Sequence, residues 1–485
     1  MIFKRLSKHK VGSTFFQGWL GKCQPYRAYV CSYNTCVVRY GKLQLGQLSI
    51  TQTEFRVEME MGQRWGEIKD PVHGYIYVAQ IEKDIIDSFP MQRLHRLRQL
   101  AGAEYVYPGA NHTRFEHSLG TMYLAQRLTM NSNLSQHMTE EEVQLVRLAA
   151  LLHDVGHGPF SHVFEHLLEK FLDKTHEEIT SWIIRKSELR DILENSGYDA
   201  DTVAELATGS LHRKGKAFLD QIVQSAIDVD KLDFIVRDTF HTGAEYGNID
   251  VFRLIHMIDV LDENLAVNSG ALSALESFML ARIESFRSIY FHRVSRAAQI
   301  MLAMAMEKAK DELGLISFKS PEEYLSLNDY TVWTMLKLCE KSRKIMENLE
   351  RRKLLKCAYD QTFYVKDKTV AKLFGAEEIR NEMRDEIAEM AGVEPRFVVI
   401  DVPTLPSVPY HHSAIMEPME IPMFYKGRDG RKVPQRLSEI SKIFEALRGF
   451  INVVRVYTEE KYRERVGEGA TKMLGELPYS ARISY

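Results

Sequence analysis

The segment from Thr139 to His162 constrains the fold of this chain more than any other part of its sequence. Thr139 followed by Glu142 forms a capping box, a signature with which α-helices begin. Apolar residues then recur at helical spacing as far as Leu152, which predicts a helix with one buried face. This helix runs directly into LLHDVGHGPFSH, residues 151–162, where glycines and a proline predict its end. The sequence therefore predicts a helix that ends at a cluster of three histidines and an aspartate.

That cluster has the chemical composition of a metal site. Imidazole and carboxylate ligands suit a divalent metal of intermediate softness, and His153 and Asp154 can both reach one ion where the helix ends. A single buried His-Asp pair is more often structural than catalytic. However, His157 and His162 have no structural reason to crowd the same turn, and their presence favours a chemical role.

Two further segments supply candidate ligands and phosphate-binding groups. In NHTRFEHSLG, His117 offers another imidazole, and Arg114 lies on nearly the same helical face as a natural phosphate clamp. In DVDKLDFIVRD, Asp230 can complete a His/His/Asp/Asp metal set, and Lys231 adds a second positive charge. Two alternative interpretations remain. His117 could simply hydrogen-bond a loop, and the charged residues of DVDKLDFIVRD could form a solvated helix face that binds no ligand. The order of the candidates along the chain favours the metal set.

The segment THEE supplies a candidate pair for proton transfer. His176 and Glu177 are residue types that act as general acids and bases. A solvated helix start would account for the same two residues, and the segment alone does not choose between these interpretations.

The chain divides into three regions by its patterning. Residues 1–60 have weak periodicity and are interpreted as an extension of uncertain status, either a tail, an unused upstream start, or a targeting or nucleic-acid arm. Residues 61–320 are predicted to be a mostly helical core, in which 218–240 forms a helix. Residues 321–485 are predicted to be an α+β region for oligomerisation or regulation, with strands at QTFYVKD, RFVVIDVP and INVVRVYT and a helix near 438–449. The predicted fold class is mainly α, with a smaller α+β C-terminal region.

Composition excludes several classes of function. No run of 18 or more uncharged apolar residues occurs, and no secretory signal is evident, so a cytoplasmic protein without membrane partners is predicted. The five cysteines are odd in number and form no CxxC pair, which argues against a disulfide framework. The net charge is −3, but residues 1–53 carry eight Lys or Arg and no acidic residue, so the remainder is acidic and lacks a basic patch for duplex nucleic acid.

The ordered set His117, His153-Asp154, Asp230 resembles the signature of HD-domain metal-dependent phosphohydrolases. The surrounding segments DPVHGYI, MQRLHRLRQLAGAEYVYPGANHTRFEHSLG, HDVGHGPFSH and DVDKLDFIVRD are similar to those of the deoxynucleoside triphosphate triphosphohydrolases. This resemblance covers about residues 65–300. The run YFHRVSRAA is similar to the helix that closes the nucleotide pocket in that family, and PRFVVIDVP resembles its C-terminal region.

The resemblance implies a helical HD fold and a specific reaction. It implies that a dNTP is hydrolysed to a deoxynucleoside and inorganic triphosphate, and that the protein is a homo-oligomer, dimer or tetramer. One divalent transition metal of the Mn, Fe or Zn type would be held by His117, His153, Asp154 and Asp230, with Mg accompanying the nucleotide. The implied proton-transfer residues are His157, His162, His176 and Glu177, and the implied nucleotide contacts are Gln99, Leu100, Arg114, Lys231, Phe234, Asp238 and Tyr290.

Two departures from the family pattern bear on selectivity and regulation. Phe234 stands where the animal enzymes carry a tyrosine that touches the sugar, so sugar discrimination is expected to be looser. His95 stands where those enzymes carry an arginine in a guanine-specific regulatory site, which argues against that form of activation.

Two other functions remain compatible with the sequence. One is an HD-type nucleotidase or phosphodiesterase that acts on another nucleotide, and the other is a non-catalytic nucleotide sensor. Arg114 and Lys231 together favour a long phosphate chain. The complete metal set argues against a sensor, because a sensor can lose metal ligands without penalty.

Overall fold

A computed structural model of the protein describes residues 64–365, 376–406, 421–447 and 450–475. The predicted extension at residues 1–60 and three of the five cysteines lie outside these ranges. The other two cysteines, Cys339 and Cys357, are free thiols.

The described part of the chain is mainly helical, which confirms the predicted fold class. The helices up to Ser285 are α1 (Gln80–Ile86), α2 (Phe89–Arg93), α3 (Arg114–Thr129), α4 (Ser132–Ser135), α5 (Glu140–Leu152), α6 (His162–Leu172), α7 (His176–Lys186), α8 (Glu188–Asn195), α9 (Ala200–Ala207), α10 (Phe218–Val223), α11 (Val229–Thr242), α12 (Val251–Met257) and α13 (Leu272–Ser285). A π-helix (Phe286–Tyr290) follows α13, and the later helices are α14 (Arg293–Ala309), α15 (Pro321–Leu325), α16 (Asp329–Leu338), α17 (Glu340–Glu350), α18 (Glu377–Ala391), α19 (Leu437–Ile440), α20 (Lys442–Leu447) and α21 (Arg463–Leu474). None of the helices in the described ranges combines the length and the apolar character needed to cross a bilayer.

Helix α5 lies at the centre of the core and begins as the sequence predicts. Thr139 Oγ1 accepts a hydrogen bond from the backbone N–H of Glu142 at 3.2 Å, and the Glu142 carboxylate accepts one from the N–H of Thr139 at 2.9 Å. Nearly all residues of the second half of α5 are buried, where the helix packs against α3 and α9. Helix α3 in turn packs against α11. These contacts bring the three helices that carry the predicted metal ligands into one cluster.

The predicted helix over 218–240 is wrong at its centre. Helix α10 ends at Val223 and α11 begins at Val229. The buried carboxylate of Asp228 accepts hydrogen bonds from the backbone N–H groups of Ser225 and Lys231, both at 2.7 Å. An aspartate that bonds nearby N–H groups in this way caps a new helix and interrupts the previous one. Apolar periodicity continues across the break and therefore does not reveal it.

Ten strands form three antiparallel or mixed sheets in the described ranges. The strands are β1 (Arg64–Asp70), β2 (Gly74–Ala79), β3 (Ile258–Leu261), β4 (Asn264–Asn268), β5 (Lys356–Val365), β6 (Val399–Asp401), β7 (Thr404–Pro406), β8 (Pro422–Lys426), β9 (Lys432–Arg436) and β10 (Phe450–Thr458). Strands β1 and β2 pair as a hairpin, β3, β4, β8 and β9 form one sheet, and β10 lies between β5 and β6 while also pairing with β7.

The C-terminal strand predictions agree with β5, β6 and β10, whereas β7 was not predicted. The helix predicted near 438–449 is instead divided into α19 and α20 at Ser441, whose hydroxyl accepts a hydrogen bond from the N–H of Phe444 at 3.0 Å. The β1–β2 hairpin and the β3–β4 pair lie inside the region predicted to be mostly helical.

Candidate active site

The end of α5 positions the first two candidate metal ligands. His153 caps the C-terminus of this helix, directly after Leu152, and its Nδ1 donates a hydrogen bond to the carbonyl of Ala150 at 2.8 Å. This bond assigns the proton to Nδ1 and leaves Nε2 free to bind a metal. Thr180 Oγ1 donates to the carbonyl of His153 and accepts from the N–H of Gly156, both at 3.0 Å. The turn that follows the helix is therefore attached to α7.

The four predicted ligands converge on one point. His117 Nε2 lies 3.1 Å from Asp230 Oδ1 and 3.5 Å from Asp154 Oδ2. His153 Nε2 lies 3.3 Å from Asp154 Oδ1 and 3.7 Å from Asp230 Oδ1. Both Nε2 atoms are buried, and neither makes a hydrogen bond of ordinary geometry within the described residues. His117, His153 and Asp154 lie close enough together to hold a divalent cation. Asp230 faces both imidazoles, at 3.1 and 3.7 Å.

The charges around this point are strongly coupled. Burial would lower the pKa of His117, but the carboxylates of Asp230 and Asp233 outweigh it and raise this pKa to about 10. Burial would raise the pKa of Asp154, but Arg114 and His153 hold it well below its usual range. A divalent cation competes with the His117 proton for the same nitrogen, so metal binding releases that proton.

A second set of charged residues holds His117 in place. His117 Nδ1 donates to Asp233 Oδ2 at 2.8 Å, and the same buried carboxylate accepts from His73 Nε2 at 2.5 Å and Arg237 Nε at 2.8 Å. Arg237 also bonds Asp70 at 2.8 Å. A carboxylate behind a metal-binding histidine sets the tautomer and orientation of its ring. These partners were not predicted from the sequence, although Asp233 is three residues from Asp230 and DPVHGYI contains both Asp70 and His73.

Arg114 and Lys231 lie beside the predicted ligands. Arg114 bonds the carboxylate of Asp154 through Nη1 and donates from Nε to Ser161 Oγ at 2.7 Å, while its buried Nη2 has no hydrogen-bond partner among the described residues. Lys231 Nζ lies 2.7 Å from Asp228 and 3.9 Å from Asp230. Both cations line a cavity of about 510 Å³, which is within the range of small-molecule sites.

The predicted proton-transfer residues form one group on the same cavity. The rings of His157 and His176 are stacked with centroids 4.0 Å apart. Glu165 accepts hydrogen bonds from His176 Nδ1 and from His162 Nδ1, the latter at 2.8 Å, and Glu177 lies 3.4 Å from His176. Glu165 was not predicted from the sequence, although it is three residues after His162 and therefore one helical turn away.

The two stacked histidines favour opposite protonation states. Burial would lower the pKa of His176, but Glu165 outweighs it and raises this pKa to about 9. Burial, with Arg114 and the charge of His176, holds the pKa of His157 well below its usual range. At neutral pH the site therefore presents a protonated imidazole next to a neutral one.

The remaining predicted residues line the same cavity. Asp238 accepts hydrogen bonds from the Tyr290 hydroxyl and from His112 Nε2, the latter at 2.7 Å. The Phe234 and Tyr290 rings meet edge to face at 6.2 Å. Gln99 also lines the cavity, and its buried Oε1 lacks a partner in the described ranges. The structure brings together the seven predicted nucleotide contacts, Gln99, Leu100, Arg114, Lys231, Phe234, Asp238 and Tyr290, on the cavity that His153, Asp154 and Asp230 also line.

Family models match most of the described chain. The model of the HD domain matches residues 114–238, which contain all four candidate ligands, and the model of the HD associated region matches residues 249–480. The chain belongs to the HD-domain family. HD domains bind a divalent metal, and the cluster of His117, His153 and Asp154 could hold one.

The curated relatives include deoxynucleoside triphosphate triphosphohydrolases. The SAMHD1 homolog of Dictyostelium discoideum, which carries that name, is 32% identical over 60% of this chain and 59% of its own length. SAMHD1 of Homo sapiens is 31% identical over 60% of this chain and 54% of its own length. An uncharacterized protein of Methanocaldococcus jannaschii is 32% identical over 60% of this chain and 58% of its own length. This chain thus spans less than two thirds of the length of these relatives.

Two solved structures are similar over a larger share of the chain. A hypothetical protein from Aquifex aeolicus matches with a TM-score of 0.66 and 27% identity, over 83% of this chain and 99% of its own. A phosphohydrolase from Bacteroides thetaiotaomicron matches with a TM-score of 0.63 and 26% identity, over 82% of this chain and all of its own.

Proposed function

We propose that this protein hydrolyses deoxynucleoside triphosphates to deoxynucleosides and inorganic triphosphate, with a Mn, Fe or Zn ion in the HD site. The observation that carries the proposal is the environment of Arg114. Arg114 Nη2 is buried and has no hydrogen-bond partner in the described ranges, which destabilises the protein unless a ligand accepts its hydrogen bond. A phosphate oxygen is an acceptor that arginine binds well. Arg114 lines a cavity that His153, Asp154 and Asp230 also line. The names of the curated relatives support the same reaction.

The cavity residues have complementary tasks in this reaction. A bound divalent cation would supply Lewis-acid polarisation of a phosphoryl group. Arg114 and Lys231 neutralise the phosphate chain, which carries most of the substrate charge. A water oxygen attacks the α-phosphorus and the bond to the sugar 5′ oxygen breaks. Neutral His157 accepts a proton from the water side, and protonated His176 donates one to the departing oxygen directly or through His162.

The nucleoside would lie against the opposite wall of the cavity. Asp238 and Gln99 offer acceptors for sugar hydroxyls, while Leu100, Phe234 and Tyr290 offer apolar surface for the sugar and base. Phe234 has no hydroxyl to donate or accept, so its contribution to sugar discrimination is limited to packing. Turnover of ribonucleotides at a measurable rate is therefore part of the proposal.

A product analysis tests the proposed reaction. Purified full-length protein is incubated with each dNTP and each ribonucleoside triphosphate, with Mn²⁺ and with Mg²⁺, and products are separated by ion-exchange chromatography. Deoxynucleoside and intact triphosphate are the expected products. Release of diphosphate or monophosphate would refute the proposal and favour another HD-type nucleotidase. Light scattering of the same sample tests the predicted dimer or tetramer.

A variant of Arg114 tests its proposed role. Arg114→Ala is expected to reduce kcat/KM by at least about 100-fold, because a charge-assisted contact to the phosphates is removed. Bound metal, measured by elemental analysis, should remain at the wild-type level. Arg127→Ala is the matched control, because Arg127 is also on α3 but does not line the cavity. Wild-type kinetics for Arg114→Ala would remove this residue from the phosphate site.

A further inference from the structure

One wall of the cavity comes from the π-helix and the first turns of α14. It presents Tyr290, Phe291, Arg296 and Gln299 to the cavity. A π-helical turn is rare and frequently lies at a functional site. The helical hydrogen bonds are interrupted between Tyr290 and Arg293, so the backbone carbonyls at this junction require partners from elsewhere.

A row of three charged residues crosses the C-terminal sheet. Arg455 of β10 lies directly opposite Asp360 of β5 on one side and Asp401 of β6 on the other. Residues that are directly opposite in an antiparallel sheet point to the same face. Arg455 Nε also lies 3.0 Å from Asp360 Oδ1. We call Asp360, Arg455 and Asp401 the charge ladder.

The charge ladder holds the cavity wall at two points. Arg455 Nη1 donates a hydrogen bond to the carbonyl of Phe291. Asp401 accepts two hydrogen bonds from Arg296, from Nη2 at 2.6 Å and from Nε at 3.1 Å. Arg455 and Asp401 are both buried, so solvent does not weaken these contacts.

A third contact from the same strand reinforces the wall. The hydroxyl of Tyr457, which is fully buried, donates to the carbonyl of Arg293 at 2.8 Å. Side chains of β10 therefore donate hydrogen bonds to carbonyls on both sides of the junction between the π-helix and α14.

We propose that the charge ladder is a positioning element that sets the shape of the nucleoside end of the cavity. Without the Arg455 guanidinium, the Phe291 carbonyl would lose its charged donor and the junction would no longer be held against the sheet. Tyr290, one residue earlier, would then be free to leave Asp238. The candidate metal ligands lie on α3, on α11 and at the end of α5, and none of the ladder contacts described above reaches them. The ladder therefore affects how the ligand is held and leaves the metal site intact.

Hydrogen exchange tests this positioning directly. Arg455→Met removes the guanidinium and keeps much of its bulk, Arg455→Lys keeps the charge, and Arg463→Met is a control in the same region, where an exposed arginine bonds the Cys357 carbonyl at 3.3 Å. In the full chain, amides of residues 286–299 are expected to exchange at least about tenfold faster in Arg455→Met, since a hydrogen bond to a charged group is lost. Exchange should be intermediate in Arg455→Lys and unchanged in Arg463→Met.

Kinetics supply a second measurement, which rests on the proposed function. With dNTPs and Mn²⁺, KM is expected to rise about tenfold in Arg455→Met while kcat changes less than about threefold, because the wall contributes binding rather than chemistry. Metal content should equal that of the wild type. If the wild type hydrolyses no dNTP, the proposed function fails while the exchange experiment still decides the role of the ladder.

Unchanged exchange over residues 286–299 in folded Arg455→Met would overturn the positioning role. A fall in kcat with unchanged KM would overturn it as well. If Arg455→Met does not fold, Asp401→Asn provides the same test, because it weakens the bond to Arg296 and leaves Arg455 in place. Wild-type exchange of the wall in that variant would equally refute the proposal.

Discussion

Asp233→Asn is expected to weaken metal binding without altering any candidate ligand. The Asp233 carboxylate accepts hydrogen bonds from His117, His73 and Arg237 and is fully buried. A carboxamide keeps the shape, but only one of its two terminal atoms accepts hydrogen bonds, so its amino group must face one of these donors. Loss of such a partner behind a metal-binding histidine typically costs 10- to 100-fold in metal affinity, or about 1.4–2.8 kcal/mol.

The assay is competition for Mn²⁺ between the protein and a chelator of known affinity, with bound metal measured after separation. Asp220→Asn is the matched control, because Asp220 is also a buried carboxylate that accepts hydrogen bonds from the N–H groups of Leu211 and His212, and it does not line the cavity. The control should bind metal like the wild type. If Asp233→Asn bound Mn²⁺ within about twofold of the wild type, the orienting role assigned to Asp233 would be wrong.

Two further predictions concern stability. Glu82→Gln is expected to lower the free energy of unfolding by about 3 kcal/mol at neutral pH, because Arg147 would lose its buried partner at 2.6 Å. Burial would raise the pKa of Glu82, but Arg147 outweighs it and lowers the pKa, so this stabilisation is present above pH 4.5 and is lost in acid. Urea denaturation should show the difference shrinking below that pH, and a constant difference would contradict the assignment. Gly156→Ala would place a Cβ 2.2 Å from the backbone nitrogen of Thr180 and should cost about 1–3 kcal/mol, whereas Gly66→Ala, which meets no atom within 4 Å, should cost much less. Equal urea midpoints for these two variants would refute the close approach at Gly156.

The sequence was informative where the structure depends on local signals. The capping box at Thr139 and the glycines after His153 mark the two ends of α5 within one short segment, so the position of this candidate metal site follows from neighbours in the chain. The complete donor set with Asp230 was also apparent, because each segment carries unusual polar residues on a helical face. The HD-domain model confirms the predicted family, whereas the assignment of these four residues as metal ligands stays a prediction.

The partners behind the ligands depend on distant contacts and were not predicted. His73 and Asp233 are 160 residues apart, and their bond requires the β1–β2 hairpin to fold against α11. Strand β1 is largely exposed, so its sequence lacks the alternation of apolar and polar residues that reveals a half-buried strand. The break at Asp228 was missed for a different reason. A capping side chain interrupts a helix without interrupting the apolar pattern.

Both stretches matched by family models line the cavity, which limits where the protein can be truncated and which regions can be exchanged. The candidate metal ligands fall within residues 114–238, whereas Tyr290, Phe291 and Arg296 belong to the stretch matched by the HD associated region. A boundary drawn between the two family models therefore passes through the cavity. A fragment that stops near residue 240 would retain the donor set for the cation but would lose the wall that Tyr290, Phe291 and Arg296 form. Exchange of C-terminal regions between relatives should for the same reason alter ligand preference while leaving every candidate metal ligand unchanged.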